Sequence, residues 1–179
     1  MSWINTYTGK KVFPLDLTED QVAFRDVVRN LNGKRRFQGA SEVTVARHSV
    51  AVARVFEAMG GKNVLKALLH DADETYLPDV PHPMKVLPEM AWFLQVAVEH
   101  ERVIDQALKV GKIHAADARL LSTIDRVASD VEASVFLTRN KDWVVTEAPA
   151  AMTDLVKREL LAASGQVFEI WARDLGVKG

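Results

Sequence analysis

Four of the six prolines, Pro78, Pro81, Pro83 and Pro88, fall within eleven residues, and little outside that stretch would turn the chain. A strand-rich chain needs a turn signal every ~8–12 residues. Nine glycines spread over 179 residues do not supply them. The segments on either side of the proline stretch must therefore run long, and long uninterrupted segments are helices. Valine is the commonest residue, with 24 copies. Its spacing follows the helical period rather than the alternation of a strand.

The helices can be placed from their signals. After an irregular Met1–Leu17, Thr18 and Gln21 form a capping-box pattern, followed by Val22, Val27, Val28 and Leu31, with Gly33 at the end. Ser41 is positioned to cap a second helix with an apolar stripe of Val45, Val52, Val55, Phe56 and Met59, closed by Gly60-Gly61. Asn63 caps a third, carrying Val64, Leu65, Leu68, Leu69 and Ala72. The stretch from Leu77 to Pro88 reads as a loop, because proline removes a donor and restricts its predecessor. Helical patterns resume from Glu89 to Lys109, Ala115 to Thr138 and Pro149 to Leu175, with Asn140-Lys141-Asp142 separating the last two. The expectation is an all-α fold, one compact domain over residues 1–179, with about six helices and no confident strand.

Composition closes off several functions. Without cysteine there is no disulfide, zinc ribbon, iron–sulfur cluster or thiolate nucleophile, so a metal would be held by imidazole and carboxylate. A net charge of −1 gives no footprint for polymeric nucleic acid or an anionic membrane. No run of 18 apolar residues is present, and Met1–Lys11 lacks an apolar signal core. A soluble, cytoplasmic protein is expected. The absence of GxxxxGK[ST] and GxGxxG argues against P-loop and Rossmann nucleotide sites.

Polar residues that interrupt apolar stripes carry the functional signal. His48 lies amid Val45, Val50, Ala51 and Val52; His70-Asp71 follows Leu68-Leu69; Asp125 sits between Ile124 and Val127. Singly, each is accounted for as a satisfied core histidine or a solvated aspartate. Three helices each contributing a ligand-type group match the way bundles build metal sites. Two imidazoles and two carboxylates suit a single divalent ion such as Co, Mn, Zn, Mg, Ni or Fe. On an α-helix Glu74 shares a face with His70 and Asp71, where it can exchange a proton near the ion. His100 and His114 are expected at the surface, and His82 in a solvated loop.

The order His48, His70-Asp71, Asp125 resembles the H…HD…D signature of the HD-domain metal-dependent phosphohydrolases. The likeness extends to Trp3–Lys10, Arg36-Phe37-x-Gly39, Ala46-Arg47-His48-Ser49-Val50, and His70 to Tyr76 with Asp79-Val80-Pro81-His82-Pro83-Met84-Lys85. Asp125 with Glu132 seven residues on is similar to a pair in the family's later helix. The resemblance covers roughly residues 1–137. It implies a helical domain with His48, His70, Asp71 and Asp125 as ligands of one divalent ion and a metal-bound water as nucleophile. Glu74 would manage protons, and Asp79 would line the sugar pocket or orient the leaving oxygen. Arg36 and Lys85 would hold phosphate, and Phe37 would contact the base or sugar. The substrate implied is a small deoxynucleotide, with 5′-monophosphates favoured (5′-nucleotidase activity) over dNTP triphosphohydrolysis. A homodimer is also implied. Two other readings stay open: a helical binding module that keeps the metal for structure, and a plain helical bundle.

Overall fold

The helix at the centre of the fold is the one that carries His48. The structure, a computed structural model, describes residues 2–138 and 141–178. Among them 61% of the chain is helical, in eight helices, with one two-stranded ribbon. Helix α1 spans Phe24–Gly33, α2 Val45–Ala58, α3 Val64–Leu68, α4 His82–Lys85, α5 Ala91–Ala107, α6 Ala115–Phe136, α7 Ala150–Ala162 and α8 Gln166–Asp174. Ten of the fourteen residues of α2 are buried, which makes it apolar on nearly every side. A helix of that kind belongs inside a domain. Accordingly α2 packs against α1, α3, α6, α7 and α8. The core around it includes Val52, Val55, Phe56, Leu68, Ile124, Val156, Leu160 and Phe168.

Several boundaries differ from the sequence expectation, each for a local reason. The Thr18 hydroxyl bonds Asp20 rather than a backbone N–H, so only a 3₁₀ turn forms over Glu19–Gln21 and α1 starts at Phe24. Helix α2 is capped by Thr44, which accepts from the Arg47 N–H, whereas buried Ser41 bonds the Val43 N–H in the preceding turn. Asn63 does cap α3, accepting from Lys66 N–H at 3.0 Å. The proline stretch is not wholly loop: His82–Lys85 makes one helical turn, with Pro83 in its first turn where a missing N–H costs nothing. Of the expected break at Asn140–Asp142, Asn140 lies outside the described residues, and Lys141 and Asp142 form a turn.

The expected last helix is two helices, α7 and α8, separated at Ala163–Gly165. Gly165 lies against the side chains of Asn32 and Thr44, where a Cβ would collide with Asn32. The break lets α8 turn back onto α1, α2 and α3. The N-terminus is not irregular either. Ile4–Asn5 pairs antiparallel with Lys11–Val12 (β1 and β2), with Ile4 opposite Val12 and Gly9 at φ +81° in the turn. Buried Asp26 holds this ribbon, accepting from Thr8 N–H at 2.7 Å and Thr8 Oγ1 at 2.8 Å. Among the described residues no helix is long and apolar enough to cross a membrane.

Candidate metal centre

His48, His70 and Asp125 each bring a donor atom within 4.8 Å of the other two. They arrive from three elements: α2, the turn after α3, and the middle of α6. On α6, Leu121, Ile124, Ala128 and Val131 make the buried stripe, so Asp125 emerges at its edge, where its carboxylate is part-exposed. His48 is fully buried. Its Nδ1 faces Glu132 Oε1 at 2.7 Å and its Nε2 faces Asp125 Oδ1 at 3.0 Å. Glu132 follows Asp125 by seven residues, two helical turns, and so reaches the same imidazole from deeper in the core.

The HD segment departs from the α-helical expectation. Helix α3 stops at Leu68, His70 and Asp71 lie in a turn, and Ala72–Thr75 is a 3₁₀ turn. Asp71, Asp73 and Thr75 are weak helix formers that favour such endings. The segment is pinned to α1 instead. Tyr76 Oη accepts from Ala23 N–H at 3.1 Å, the Asn30 amide donates to Thr75 O at 3.2 Å, and Lys34 Nζ donates to the carbonyls of Glu74 and Leu77. In a 3₁₀ turn residues three apart eclipse, which sets Glu74 above Asp71. His70 Nδ1–H donates to Ala67 O at 2.8 Å, fixing the tautomer that turns Nε2 towards the cluster.

Electrostatically, the centre holds protons where a cation would be welcome. Burial pulls His70 down, but the charge of Asp71 and the nearby carboxylate of Asp125 outweigh it and lift it to about 9. His48 is pulled down by burial and by Arg36, yet ends raised through Glu132 and Asp125. Burial pushes Asp125 up, but its contacts with both histidines bring it well below the usual carboxylate range. Glu132 is likewise lowered against its burial by His48 and Arg36.

His70 Nε2 is buried and makes no hydrogen bond, although Asp71 Oδ2 lies at 3.3 Å and Asp125 Oδ1 at 3.7 Å. An orphaned imidazole nitrogen between two carboxylates and beside a second imidazole is a fitting donor set for a divalent ion. His48, His70 and Asp125 form a possible metal site.

Asp71 touches this set through His70 and also lies 3.4 Å from Arg36 Nη1. The remaining donors of Arg36 face the protein, with Nε on Glu132 Oε2 at 2.8 Å and Nη2 on Ser129 Oγ at 2.7 Å. This guanidinium therefore ties Asp71, Glu132 and Ser129 together beside the centre. Glu74 is buried with Oε2 unpartnered. Burial, then the charges of Asp71 and Asp79, push its carboxyl up to about 8. Lys85 ends α4 and is near enough to Asp73 to oppose that residue's rise, by burial and by Asp71, to about 6. Phe37 lies under the Arg36 guanidinium at 5.9 Å and 6.1 Å from the ring of Trp143.

No family model matches the chain. It is 32% identical over 92 residues to the uncharacterized protein YfdR of Escherichia coli (strain K12). The match covers 50% of this chain and 50% of YfdR, so the chain spans about half the length of that relative.

Sequence reasoning left Ser129, Asp130, Lys34 and Trp143 out of the site. Glu132 was marked only by resemblance, as the residue paired with Asp125 in the motif pattern. Ser129 and Lys34 have no such signature. His100, expected at the surface, is buried: its Nε2–H donates to Pro14 O at 2.7 Å and its ring lies 6.4 Å from that of Tyr76. His82 and His114 are exposed, as expected. A cavity of about 140 Å³ beside the β1–β2 ribbon, lined by Tyr7, Asp26 and Arg29 among others, shares no residue with the centre.

Proposed function

We propose that the chain is a divalent-metal-dependent phosphohydrolase of the HD-domain type acting on deoxynucleotides, with 5′-monophosphates as the favoured substrate. The observation that carries this reading is the convergence of His48, His70 and Asp125, with a buried unpartnered His70 Nε2, beside a carboxyl at Glu74 raised to about 8. Asp71, 3.3 Å from His70 Nε2, completes the proposed ligand set. A divalent ion held there would act as a Lewis acid towards a phosphoryl oxygen and acidify a coordinated water.

The chain's own residues supply the rest. Glu74 Oε2 has no protein partner, and its raised pKa keeps a proton available near neutral pH. It is therefore matched to passing a proton to the departing 5′-oxygen or taking one from water. Asp79, close enough to Glu74 to raise it, would orient the leaving oxygen or the sugar. Lys85 would hold phosphate, and Arg36 would offer Nη1 while bracing Asp71. Phe37 would meet the sugar or base.

The supply of cations favours a monophosphate over a triphosphate. Most of the Arg36 guanidinium is already engaged by Glu132 and Ser129. Lys85 and the exposed Arg35 are then few charges for a tetra-anionic tail. A homodimer and a cytoplasmic setting belong to the same proposal.

The test is incubation with dNMPs, NMPs and dNTPs across a panel of Mn, Co, Zn, Mg, Ni and Fe ions, with products identified. Orthophosphate from dNMPs supports the proposal; tripolyphosphate from dNTPs shifts it to triphosphohydrolysis. Bound metal with no turnover on any nucleotide leaves a metal-holding binding module and overturns it.

A further inference from the structure

The loop after α6 brings an aromatic ring beside the centre that neither the motif pattern nor the ligand geometry requires. Trp143 lies in an otherwise exposed segment, yet it is tied down at two points by one residue. Its Nε1–H donates to Asp130 Oδ1 at 2.9 Å, and the other oxygen of Asp130 accepts from Thr146 N–H at 2.6 Å. With its polar handle satisfied, the indole keeps 37% of its surface open and meets Phe37 at 6.1 Å with the rings inclined by 52°. At that angle the two rings meet as a wedge rather than a parallel stack.

The floor of the wedge is costly to build. Phe37 and Gln38 are consecutive non-glycine residues in the left-handed region, at φ +53° and +54°. Such strain persists only where the surroundings over-determine it, and it concentrates at ligand clamps. Here it turns the Phe37 ring towards the Arg36 guanidinium, whose Nη1 touches Asp71. The wedge reaches the metal centre through a chain of contacts: Trp143 meets Phe37, the Phe37 ring lies under the Arg36 guanidinium, and Arg36 Nη1 lies 3.4 Å from Asp71.

We propose that Trp143, wedged with Phe37 and anchored by Asp130, is the stacking surface for the nucleobase. Stacking accepts any base, because every base presents a π-face. The subsite would therefore select for a planar ring without choosing strongly among the four. This rests on the nucleotide reading above, and its test separates the two.

Isothermal titration of 2′-deoxyadenosine, which has a base and sugar but no phosphate ester, reads the subsite without turnover. Trp143→Ala should weaken its binding at least tenfold, whereas Trp143→Phe, keeping an aromatic face, should cost about twofold. In turnover assays, KM for dNMPs should rise in Trp143→Ala while kcat/KM for baseless 2-deoxyribose 5-phosphate stays within twofold. A purely structural role for Trp143 would move both substrates together. If Trp143→Ala does not fold, Trp143→Leu, apolar but without a π-face, carries the same expectation. Unchanged deoxyadenosine affinity in the folded variants, or no nucleoside binding by the wild type, overturns the proposal. Trp143-dependent binding without hydrolysis of any nucleotide would uphold the stacking surface and sink the phosphohydrolase reading instead.

Discussion

Glu132→Gln keeps the shape of a fully buried side chain while removing its charge. Glu132 Oε1 accepts from His48 Nδ1–H at 2.7 Å and Oε2 accepts from Arg36 Nε–H at 2.8 Å, with no exposure to solvent. A glutamine has one oxygen and one NH₂; with the oxygen on Arg36, the NH₂ faces His48 Nδ1 and is satisfied only if that imidazole moves its proton to Nε2, the nitrogen aimed at Asp125 and the metal centre. One charge-assisted hydrogen bond worth about 1.5–3 kcal/mol is lost. The buried guanidinium also loses its nearer counter-charge, retaining Asp71 at 3.4 Å. Breaking one side of a buried ion pair costs about 3–5 kcal/mol. At about 2–4 °C per kcal/mol for a chain of this size, Tm should fall by roughly 6–20 °C. Freed from Glu132, His48 is less firmly held as a ligand, and Mn²⁺ or Co²⁺ affinity should drop by about 10–100-fold. Differential scanning calorimetry with and without metal, together with metal titration below the unfolding range, reads both effects. A Glu132→Gln variant as stable as the wild type, or one with undiminished metal affinity, would refute the role of Glu132 as the brace between His48 and Arg36.

Metal affinity should rise with pH. His70, raised to about 9, carries a proton at pH 7 that an incoming ion must displace, so each unit of pH up to about 9 should strengthen binding by about tenfold. Calorimetry in buffers of different ionisation enthalpy should find at least about one proton released per ion at pH 7, and none released would contradict the assignment. Glu74→Gln should remove part of the pH dependence of stability. With its folded pKa raised to about 8 from an ordinary 4.5, Glu74 keeps in the native state a proton that the unfolded chain has released. Wild-type stability should therefore fall as pH climbs between those values, and the variant's urea midpoint should fall less between pH 5 and pH 8. The same variant should lose most turnover while still binding metal, and an active Glu74→Gln enzyme would exclude Glu74 from proton transfer. Gly61→Ala would drive a Cβ into the fully buried ring of Phe56, costing about 1–3 kcal/mol of stability with metal affinity unchanged.

Long-period features were legible in the sequence and short-range competitions were not. The apolar stripes of α2 and α6 and the Asn63 cap follow from spacing and capping chemistry, and they hold in the structure. Thr18 and Ser41 carry equally good cap signatures, yet their hydroxyls find partners elsewhere, Asp20 for one and the Val43 N–H for the other. A hydroxyl's choice between equivalent local partners leaves no trace in spacing. The split of the last helix was hidden for a different reason. Only contact with Asn32 and Thr44, more than a hundred residues away in sequence, explains why Gly165 ends a turn rather than sitting within a helix. His100 was misplaced because its neighbours Glu99 and Glu101 look like a solvated face, whereas its partners Pro14 and Tyr76 come from other parts of the chain.

The candidate site was legible where it depends on ligand chemistry and illegible where it depends on support. His48, His70, Asp71 and Asp125 interrupt apolar runs, and such interruptions are what a sequence displays. Their supports do not interrupt anything. Ser129, Asp130 and Glu132 read as the ordinary polar positions of a long helix, yet one bonds Arg36, the next anchors Trp143, and the third clamps His48 to Arg36. All three lie within seven residues of Asp125 on a single rigid element. Ser129 and Glu132, four and seven residues after Asp125, share its face of α6 and both bond Arg36, whereas Asp130 points about 100° away from Ser129 and holds Trp143. One backbone register therefore sets the carboxylate at the candidate metal centre, the brace beneath its histidine and the anchor of Trp143. The HD turn, lacking an α-helix to orient it, needs Tyr76, Asn30 and Lys34 to fasten it to α1.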